Sequence, residues 1–300
     1  MQQSNVISCI EKLLFPFKTL DPFLFCVFHE DFYPEGDDKM QAPIKGNGSD
    51  FTISDTKKYR MYHGDRVPGF PQHPHRGFET LTCTINGIID HTDSMGNAGR
   101  YGEGDLQWLT CGKGICHAEM FPLINNDKPN HCKFFQIWLN LPKKSKMVEP
   151  SYVMHWHEKI PIIYSDDKLT KIRLWAGELE SKVGLDPPTN SYGASKDSEL
   201  AVIYLELSPG AKYVLPPCKR GNEINRRLYF IDGEVVSIAQ KLMNEHCVIT
   251  VKGSESVELN VPQTSKAVAG LLLLQGRPIN EPVAQHGPFV MNTREEIVQV

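Results

Sequence analysis

Short apolar runs separated by turn residues fill much of this 300-residue chain from Gly77 onward. Strands are predicted at residues 78–85, 88–93, 105–110, 115–120 and 133–141. Runs this short at this spacing are typical of an all-β barrel or sandwich. The 21 prolines and 23 glycines also favour many turns over long helices. The predicted fold class is therefore all-β with little helix.

The same pattern restarts beyond a polar connector at residues 143–159. Further strands are predicted at residues 171–177, 201–207, 227–235, 247–251 and 267–275. The run at 229–234 also resembles the run at 84–88. Two similar β domains in tandem, 1–145 and 146–300, are the economical interpretation. Only the tail at 293–299 is predicted to be helical, with Asn292 or Thr293 as its N-cap.

Three local predictions concern the first domain. Residues 20–34 are rich in aromatic and apolar residues and are predicted to form a strand. Residues 34–63 are polar and rich in Gly, Asp and Lys, which indicates a long mobile loop. Asn86-Gly87 between two apolar runs is a strong signal for a β-hairpin.

Composition excludes several classes of partner. The net charge is −4 with no basic stripe, so direct nucleic-acid binding is not expected. No stretch approaches the roughly 18 apolar residues of a membrane span. The eight cysteines contain no Cys-x-x-Cys and suggest no disulfide framework, which predicts a reducing compartment, the cytosol or the nucleus.

Two segments each place a pair of metal-binding side chains at positions i and i+2. His73 and His75 form one pair, and His117 and Glu119 form the other. Residues two apart on a strand point to the same face, so two facing strands can supply four ligands to one point. Pro74 stiffens the first pair. Imidazoles with a carboxylate suit a divalent transition metal rather than calcium or magnesium.

Spacing does not decide which carboxylate completes the set. Glu79 lies four residues after His75 and would share that strand face, whereas Glu119 shares the face of His117. Either one completes a three-histidine, one-glutamate site. The other carboxylate would then lie outside the ligand set and orient a ligand histidine.

The sequence resembles a known family along most of its length. The matching segments are residues 20–24, 69–80, 91–94, 104–110, 112–120, 135–142, 146–150 and 284–293. Together they resemble the pirin family of the cupin superfamily. The resemblance implies a bicupin, with two antiparallel β-barrels face to face and the metal only in the first. It also implies that residues 35–66 are an insertion near the metal site.

The resemblance further implies a ligand set, a metal and a function. The family's ligands map onto His73, His75, His117 and Glu119, and the family carries iron, although another divalent transition metal also suits these ligands. Some members are quercetin 2,3-dioxygenases, so a flavonol is the expected substrate. Glu119 would act as the general base, and Glu79 would support the site. In animals, members are nuclear cofactors of transcription factors, which gives the alternative: a redox-sensing, non-enzymatic regulator that binds a transcription regulator.

Other histidines, lysines and cysteines are interpreted as having no role in metal binding or catalysis. His155 and His157 imitate the ligand pair, but no second pair follows them, so they are interpreted as exposed histidines in the connector. Residues 143–146 are interpreted as a solvated basic turn. Cys111 and Cys116 are interpreted as core. An isomerase or another cupin activity with a different metal is disfavoured by the match of both ligand segments.

Overall fold

The computed structural model describes residues 6–46 and 59–299. The first strands in chain order are β1 (Ile7–Lys12), β2 (Phe23–Tyr33), β3 (Gly69–His75), β4 (Phe78–Asn86), β5 (Ile88–Asp93), β6 (Ala98–Gly102), β7 (Leu106–Thr110), β8 (Ile115–Met120), β9 (Asn130–Asn140), β10 (Ser151–His155), β11 (Ile162–Tyr164) and β12 (Thr170–Ala176). The remaining strands are β13 (Glu178–Leu179), β14 (Lys182–Val183), β15 (Ala201–Leu207), β16 (Lys212–Leu215), β17 (Asn225–Asp232), β18 (Val236–Ile238), β19 (Lys241–Met243), β20 (Cys247–Val251), β21 (Val257–Asn260), β22 (Ala269–Gly276), β23 (Ala284–His286) and β24 (Phe289–Met291). Helical structure in the described part of the chain is confined to α1 (Arg294–Val298) and to 3-10 turns at Lys143–Ser145, Tyr192–Ala194, Lys196–Ser198 and Gly221–Glu223.

The described chain forms two compact units, and neither is continuous in sequence. The first unit comprises residues 27–158 and 281–299, and the second comprises residues 6–26 and 159–280. Sequence inspection places the single boundary at 145/146, because apolar periodicity reveals where strands lie but not which sheet each one joins. The N-terminal strand β1, for instance, pairs with β20 of the second unit.

Two larger sheets build most of the first unit, which also contains the strand pair β23-β24. One has the strand order β10-β7-β4-β9-β2, and the other has the order β3-β8-β5-β6. The central strands β4 and β7 are buried along most of their length, which explains why they appear in the sequence as nearly continuous apolar and threonine runs. The predicted metal ligands lie on β3 and β8, which are neighbours in the second of these sheets.

The hairpin predicted at Asn86-Gly87 is wrong. Strand β4 pairs with β7 and β9, whereas β5 pairs with β6 and β8, so the chain crosses here from one sheet to the other. Gly87 has a φ of 83°, and a Cβ on it would lie 2.8 Å from the Cα of Cys132. Glycine is required for this close approach and not for a two-residue turn.

The second unit repeats this plan. A seven-stranded sheet (β1-β20-β17-β22-β15-β12-β11) and a four-stranded sheet (β16-β21-β18-β19) enclose one apolar core. The predicted likeness of 229–234 to 84–88 has a structural basis, because the chain again leaves one sheet (β17) and enters the other (β18) just after a glycine, Gly233, at a φ of 98°.

The segment predicted to be a mobile loop is anchored at several points among its described residues. Ala42, Met61 and Tyr62 are buried in a cluster that includes Phe121. The Tyr62 hydroxyl donates to the Asp31 carboxylate at 2.7 Å. Residues 47–58 lie outside the described residues. The expectation of a loop missed these contacts because the anchoring residues are isolated in a polar stretch.

The connector also carries more structure than its sequence suggests. Strand β10 pairs with β7, and its last residue, His155, is buried. His157 is exposed, and its backbone N–H and ring Nδ1 both lie within hydrogen-bond distance of the Asp105 carboxylate. The interpretation of both histidines as exposed was therefore wrong for His155.

The basic turn at 143–146 is solvated only in part. Lys143 and Lys144 are exposed, but Lys146 is 1% exposed. Its ammonium group donates to the carbonyls of Gly77 and Val290 and to the Asn140 side chain, at 2.8, 3.2 and 2.8 Å. Lys146 therefore ties the turn after β3 to β24, near the C-terminus.

Several smaller predictions have definite outcomes. The tail forms α1, capped by Thr293 in a capping box with Glu296. All eight cysteines are free thiols; Cys111 is buried as predicted, whereas Cys116 is only half-buried. No helix among residues 6–46 and 59–299 is long and apolar enough to cross a membrane.

Replacement of Lys146 tests its role in the first unit. We expect Lys146→Met to lower the free energy of unfolding by about 2–4 kcal/mol at pH 7, because three buried oxygens each lose one donor. Denaturant unfolding followed by circular dichroism measures the change. Lys144→Met is the matched control, and its effect should stay within about 0.5 kcal/mol of zero. Equal effects of the two variants would contradict the assignment.

The pH dependence of this difference gives a second test. Burial lowers the pKa of Lys146 to about 8. Below pH 8 both the folded and the unfolded chain hold the proton. Between about pH 8 and 10.5 the unfolded chain holds a proton that the folded chain has released, so this group makes stability rise with pH. The stability gap between the wild type and Lys146→Met should widen over that interval, and a constant gap would be the contrary result.

Candidate metal centre

The register of β3 with β8 brings three of the predicted ligands together. His73 lies directly opposite His117 in the antiparallel ladder, and His75 lies opposite Ile115. Directly opposed residues share a face, and so do residues two apart on one strand. All three imidazoles therefore project from one face of this strand pair.

The three rings form a compact cluster. One ring nitrogen from each of His73, His75 and His117 lies within 4.8 Å of the other two. Ring centroids are separated by 4.4 Å between His73 and His117, and by 4.8 Å for each of the other two pairs. His75 and His117 are buried, whereas His73 is half-exposed, so the cluster opens on the side of His73.

Ring nitrogens in this cluster lack hydrogen-bond partners. Nδ1 of His75 and both nitrogens of His117 are buried, and no described residue satisfies them. Nδ1 of His73 lies 2.8 Å from the carbonyl oxygen of Pro71, and since a carbonyl only accepts, this nitrogen carries the proton. In the neutral tautomer of His73 the lone pair is then on Nε2. Buried polar atoms without partners are uncommon and call for an explanation, such as a bound metal ion.

Burial keeps the two inner histidines neutral. It lowers the pKa of His117 to about 4, and it lowers the pKa of His75 well below its ordinary value. The proximity of the other histidines acts in the same direction on both groups. Neutral imidazoles present lone pairs, which is the state that a metal ion binds.

Glu119 lies beside this cluster but points to a different set of partners. Its carboxylate accepts hydrogen bonds from Thr82 at 3.0 Å, Gln136 at 2.7 Å and Tyr101 at 3.4 Å. The Glu119 carboxylate does not lie within 4.8 Å of all three histidine ring nitrogens of the cluster. Burial alone would raise the pKa of the Glu119 carboxyl, but His117, His73 and Gln136 favour the anion, and the pKa falls below its ordinary value.

The prediction that Glu79 shares a strand face with His75 is wrong. Strand β3 ends at His75, and Glu79 belongs to β4 in the other sheet. Its carboxylate accepts from the Trp108 indole at 2.9 Å and from the Thr110 hydroxyl at 2.8 Å. Thr82, three positions further along β4, faces Glu119, so Glu79 lies on the opposite face of the sheet.

Sequence reasoning missed a network of buried polar side chains next to Glu119. His91 on β5 lies opposite Glu119 on β8. Its Nε2 lies 3.1 Å from the Asp93 carboxylate, and its Nδ1 lies 2.6 Å from the Gln107 amide nitrogen. The Tyr101 hydroxyl lies 3.3 Å from the Gln107 amide oxygen and 3.4 Å from Glu119. The His-x-Asp spacing on β5 was the available signal, because i and i+2 side chains share a face.

The turn between β3 and β4 is held by close backbone contact. Gly77 has a φ of 85°, and a Cβ on it would lie 1.9 Å from the carbonyl oxygen of Val290. The Val290 N–H donates to the carbonyl of Arg76 at 3.0 Å. Strand β24 therefore supports the end of β3 that carries His75.

An antiparallel β unit with a three-histidine cluster on paired strands, in a chain with a second unit of similar sheet plan, defines the bicupin class. The family model described as pirin matches residues 18–139, and that for the pirin C-terminal cupin domain matches residues 202–300. Human pirin is 40% identical over 249 residues, covering 79% of this chain and 77% of that protein. A pirin-like protein of Solanum lycopersicum is 37% identical over 239 residues, covering 77% and 73%. The chain belongs to the pirin family.

A solved structure supports the same fold. The crystal structure of a quercetin 2,3-dioxygenase from Acinetobacter baumannii matches with a TM-score of 0.73 and 25% sequence identity. The match covers 98% of this chain and 94% of that one. The predicted bicupin fold is confirmed.

The missing partners of the histidine nitrogens lead to a stability prediction for metal-free protein. We expect His117→Leu to leave metal-free protein at least as stable as the wild type, because the change removes two unsatisfied buried nitrogens. His91→Leu is the matched control, since it removes a histidine with two partners, and it should cost about 1–3 kcal/mol. Chemical denaturation after chelation measures both. A larger loss for His117→Leu than for His91→Leu would show that the His117 nitrogens are satisfied without a metal.

Proposed function

We propose that this protein binds iron through His73, His75, His117 and Glu119 and acts as a flavonol 2,3-dioxygenase. The observation that carries the proposal is the cluster of three histidines, two of which have unsatisfied buried nitrogens, beside an anionic carboxylate. Three imidazoles and one carboxylate suit iron, as they suit other divalent transition metals. The neighbouring polar groups would hold Glu119 in place.

The assignment of the carboxylate ligand to Glu119 rests on its surroundings. Glu119 shares β8 with His117 at a spacing of two residues, so both side chains project from the same face. The Glu79 carboxylate is engaged by Trp108 and Thr110 on the opposite face of its sheet. Glu79 is therefore proposed to serve folding rather than metal binding.

The chemistry divides between the metal and the chain. When bound, iron supplies a Lewis acid that lowers the pKa of a coordinated hydroxyl, and a redox centre for dioxygen. Glu119 is the base that takes the proton of the flavonol hydroxyl, because its carboxyl is anionic and adjacent to the histidines. The Tyr101 hydroxyl stays protonated, since burial raises its pKa, so it remains a donor to Glu119.

The side chains that flank the cluster suit a flat aromatic substrate. Trp138 packs edge-on against His75, with ring centroids 5.5 Å apart, and remains partly exposed. Gln136 lies two residues earlier on the same face of β9 and is also partly exposed. An aromatic wall with one amide beside it offers stacking and one polar contact. The Acinetobacter baumannii quercetin 2,3-dioxygenase, which shares this fold, acts on such a compound.

Metal affinity distinguishes the two carboxylates. We expect Glu119→Ala to weaken Fe(II) binding by about tenfold to a hundredfold. Glu79→Ala should leave Fe(II) affinity unchanged but lower the free energy of unfolding by about 1–3 kcal/mol, because two buried donors lose their acceptor. Anaerobic titration with a competing chelator measures affinity, and denaturant unfolding measures stability. Weaker binding in Glu79→Ala alone would reverse the assignment.

Turnover tests the enzymatic part of the proposal. Protein loaded with Fe(II) should consume quercetin under oxygen, seen as a loss of flavonol absorbance that metal-free protein does not produce. Glu119→Ala should lose at least about a hundredfold in turnover, since it removes both a ligand and the base. Glu79→Ala, assayed below its unfolding midpoint, is the control. Equal turnover in Glu119→Ala and the wild type would contradict the mechanism.

The alternative function, a redox-sensing partner of a transcription regulator, stays a prediction. It uses the same metal site, so the metal titration does not distinguish it. A transcription-regulator partner captured by the Fe(III) form and not by the Fe(II) form, with negligible quercetin turnover, would favour it. The cytosolic or nuclear location also stays a prediction.

A further inference from the structure

A cavity of about 650 Å³ lies within the second unit. None of the four proposed metal ligands lines it. Its volume falls in the range of small-molecule sites. Much of its wall is apolar, contributed by Leu179, Val183, Leu200, Ile203, Pro216 and Leu273.

A buried arginine projects into this cavity. Arg226 is the second residue of β17 and is 2% exposed. Leu228 and Phe230, at the next alternate positions, belong to the apolar core, so Arg226 points to the interior side of the strand. Gln275, its neighbour on β22, also lines the cavity.

The guanidinium group of Arg226 lacks hydrogen-bond acceptors. Its Nε and Nη1 atoms are buried, and no described residue accepts from either. These atoms carry one and two N–H groups respectively, so three donors are unsatisfied. An unpaired buried charge is among the costliest features that a folded protein can contain.

The groups around Arg226 do not neutralise it. Burial raises the pKa of Cys218 to about 11 and also raises that of Tyr213, so both are uncharged at neutral pH. Glu199 attracts the guanidinium charge but forms no hydrogen bond with it and is only half-buried.

Three further carboxylates line the cavity wall: Asp186, and Glu178 and Glu180, which are engaged by neighbouring side chains. Glu178 pairs with Lys219, and Glu180 accepts from the Tyr213 hydroxyl at 2.9 Å. Four carboxylates (Glu178, Glu180, Asp186 and Glu199) line the cavity together with four cationic side chains (Lys196, Lys219, Arg220 and Arg226), so the wall offers no net positive charge to a doubly charged anion. The charge pattern therefore favours a monoanion over a phosphate.

We propose that this cavity binds an apolar organic carboxylate, with its anionic group on Arg226 and its body against Leu200 and Leu273. A carboxylate supplies up to four acceptor sites and a single charge, which matches the unsatisfied donors. The apolar wall matches a hydrocarbon or aromatic body. This site is independent of the proposed metal chemistry.

Calorimetric titration of full-length, metal-free protein tests the proposal, since chelation removes any binding of carboxylates to iron. The carboxylate probes are 3-phenylpropionate, octanoate and naphthalene-2-carboxylate. Their comparison ligands are 3-phenylpropanol and phenyl phosphate. At least one carboxylate should bind with a Kd below about 1 mM, and more tightly than either comparison ligand. Failure of all three carboxylates, or tighter binding of phenyl phosphate, would overturn the proposal.

Substitution of Arg226 tests whether this residue binds the carboxylate. Arg226→Met should weaken carboxylate binding by about thirtyfold or more, and Arg226→Lys should weaken it less. Arg277→Met is the matched control, because Arg277 belongs to the same unit but does not line the cavity and pairs with Glu223, and binding should be unchanged. Arg226→Met replaces a buried charge with an apolar chain and is expected to fold, which circular dichroism checks. Equal binding by folded Arg226→Met and the wild type would refute the assignment.

Discussion

The antiparallel pairing of β3 with β8 is the constraint on which the histidine cluster depends. Because His73 lies opposite His117, the cluster needs no flexible loop to assemble it. A slip of one residue would turn each side chain to the other face. Gly69 helps to fix the register, since a Cβ there would lie 2.4 Å from the carbonyl oxygen of Glu119. The ligand pattern and the backbone contacts that hold it are therefore parts of one strand pair.

The sequence predicted where strands lie better than how they pair. The runs that became β4, β5, β7, β8 and β9 were visible because apolar residues recur over short distances. Pairing is a long-range property, and local signals misled at Gly87, where a hairpin motif marks a crossing between sheets. The same limit explains the domain boundary, since nothing local to β1 reveals that its partner is β20.

The site shows a similar division between what a pattern reveals and what only packing decides. The i, i+2 spacing predicted the grouping of three histidines, but it did not decide whether Glu79 or Glu119 is the carboxylate ligand. Strand geometry separates them, because β3 ends before Glu79. Buried polar residues were the hardest to foresee. Lys146 and Arg226 look like surface residues in sequence, and only the structure shows that each side chain points inward.

The contribution of β24 to the first unit has a consequence for synthesis. The carbonyl of Val290 packs against Gly77 and accepts from Lys146, so the backbone beside His75 reaches its final contacts only when residue 290 is present. A chain emerging from the ribosome has already exposed all three histidines by then. The cluster's strands can pair early, but their support from Val290 arrives only once residue 290 has been translated. The final support of the end of β3 that carries His75 is therefore coupled to synthesis of β24.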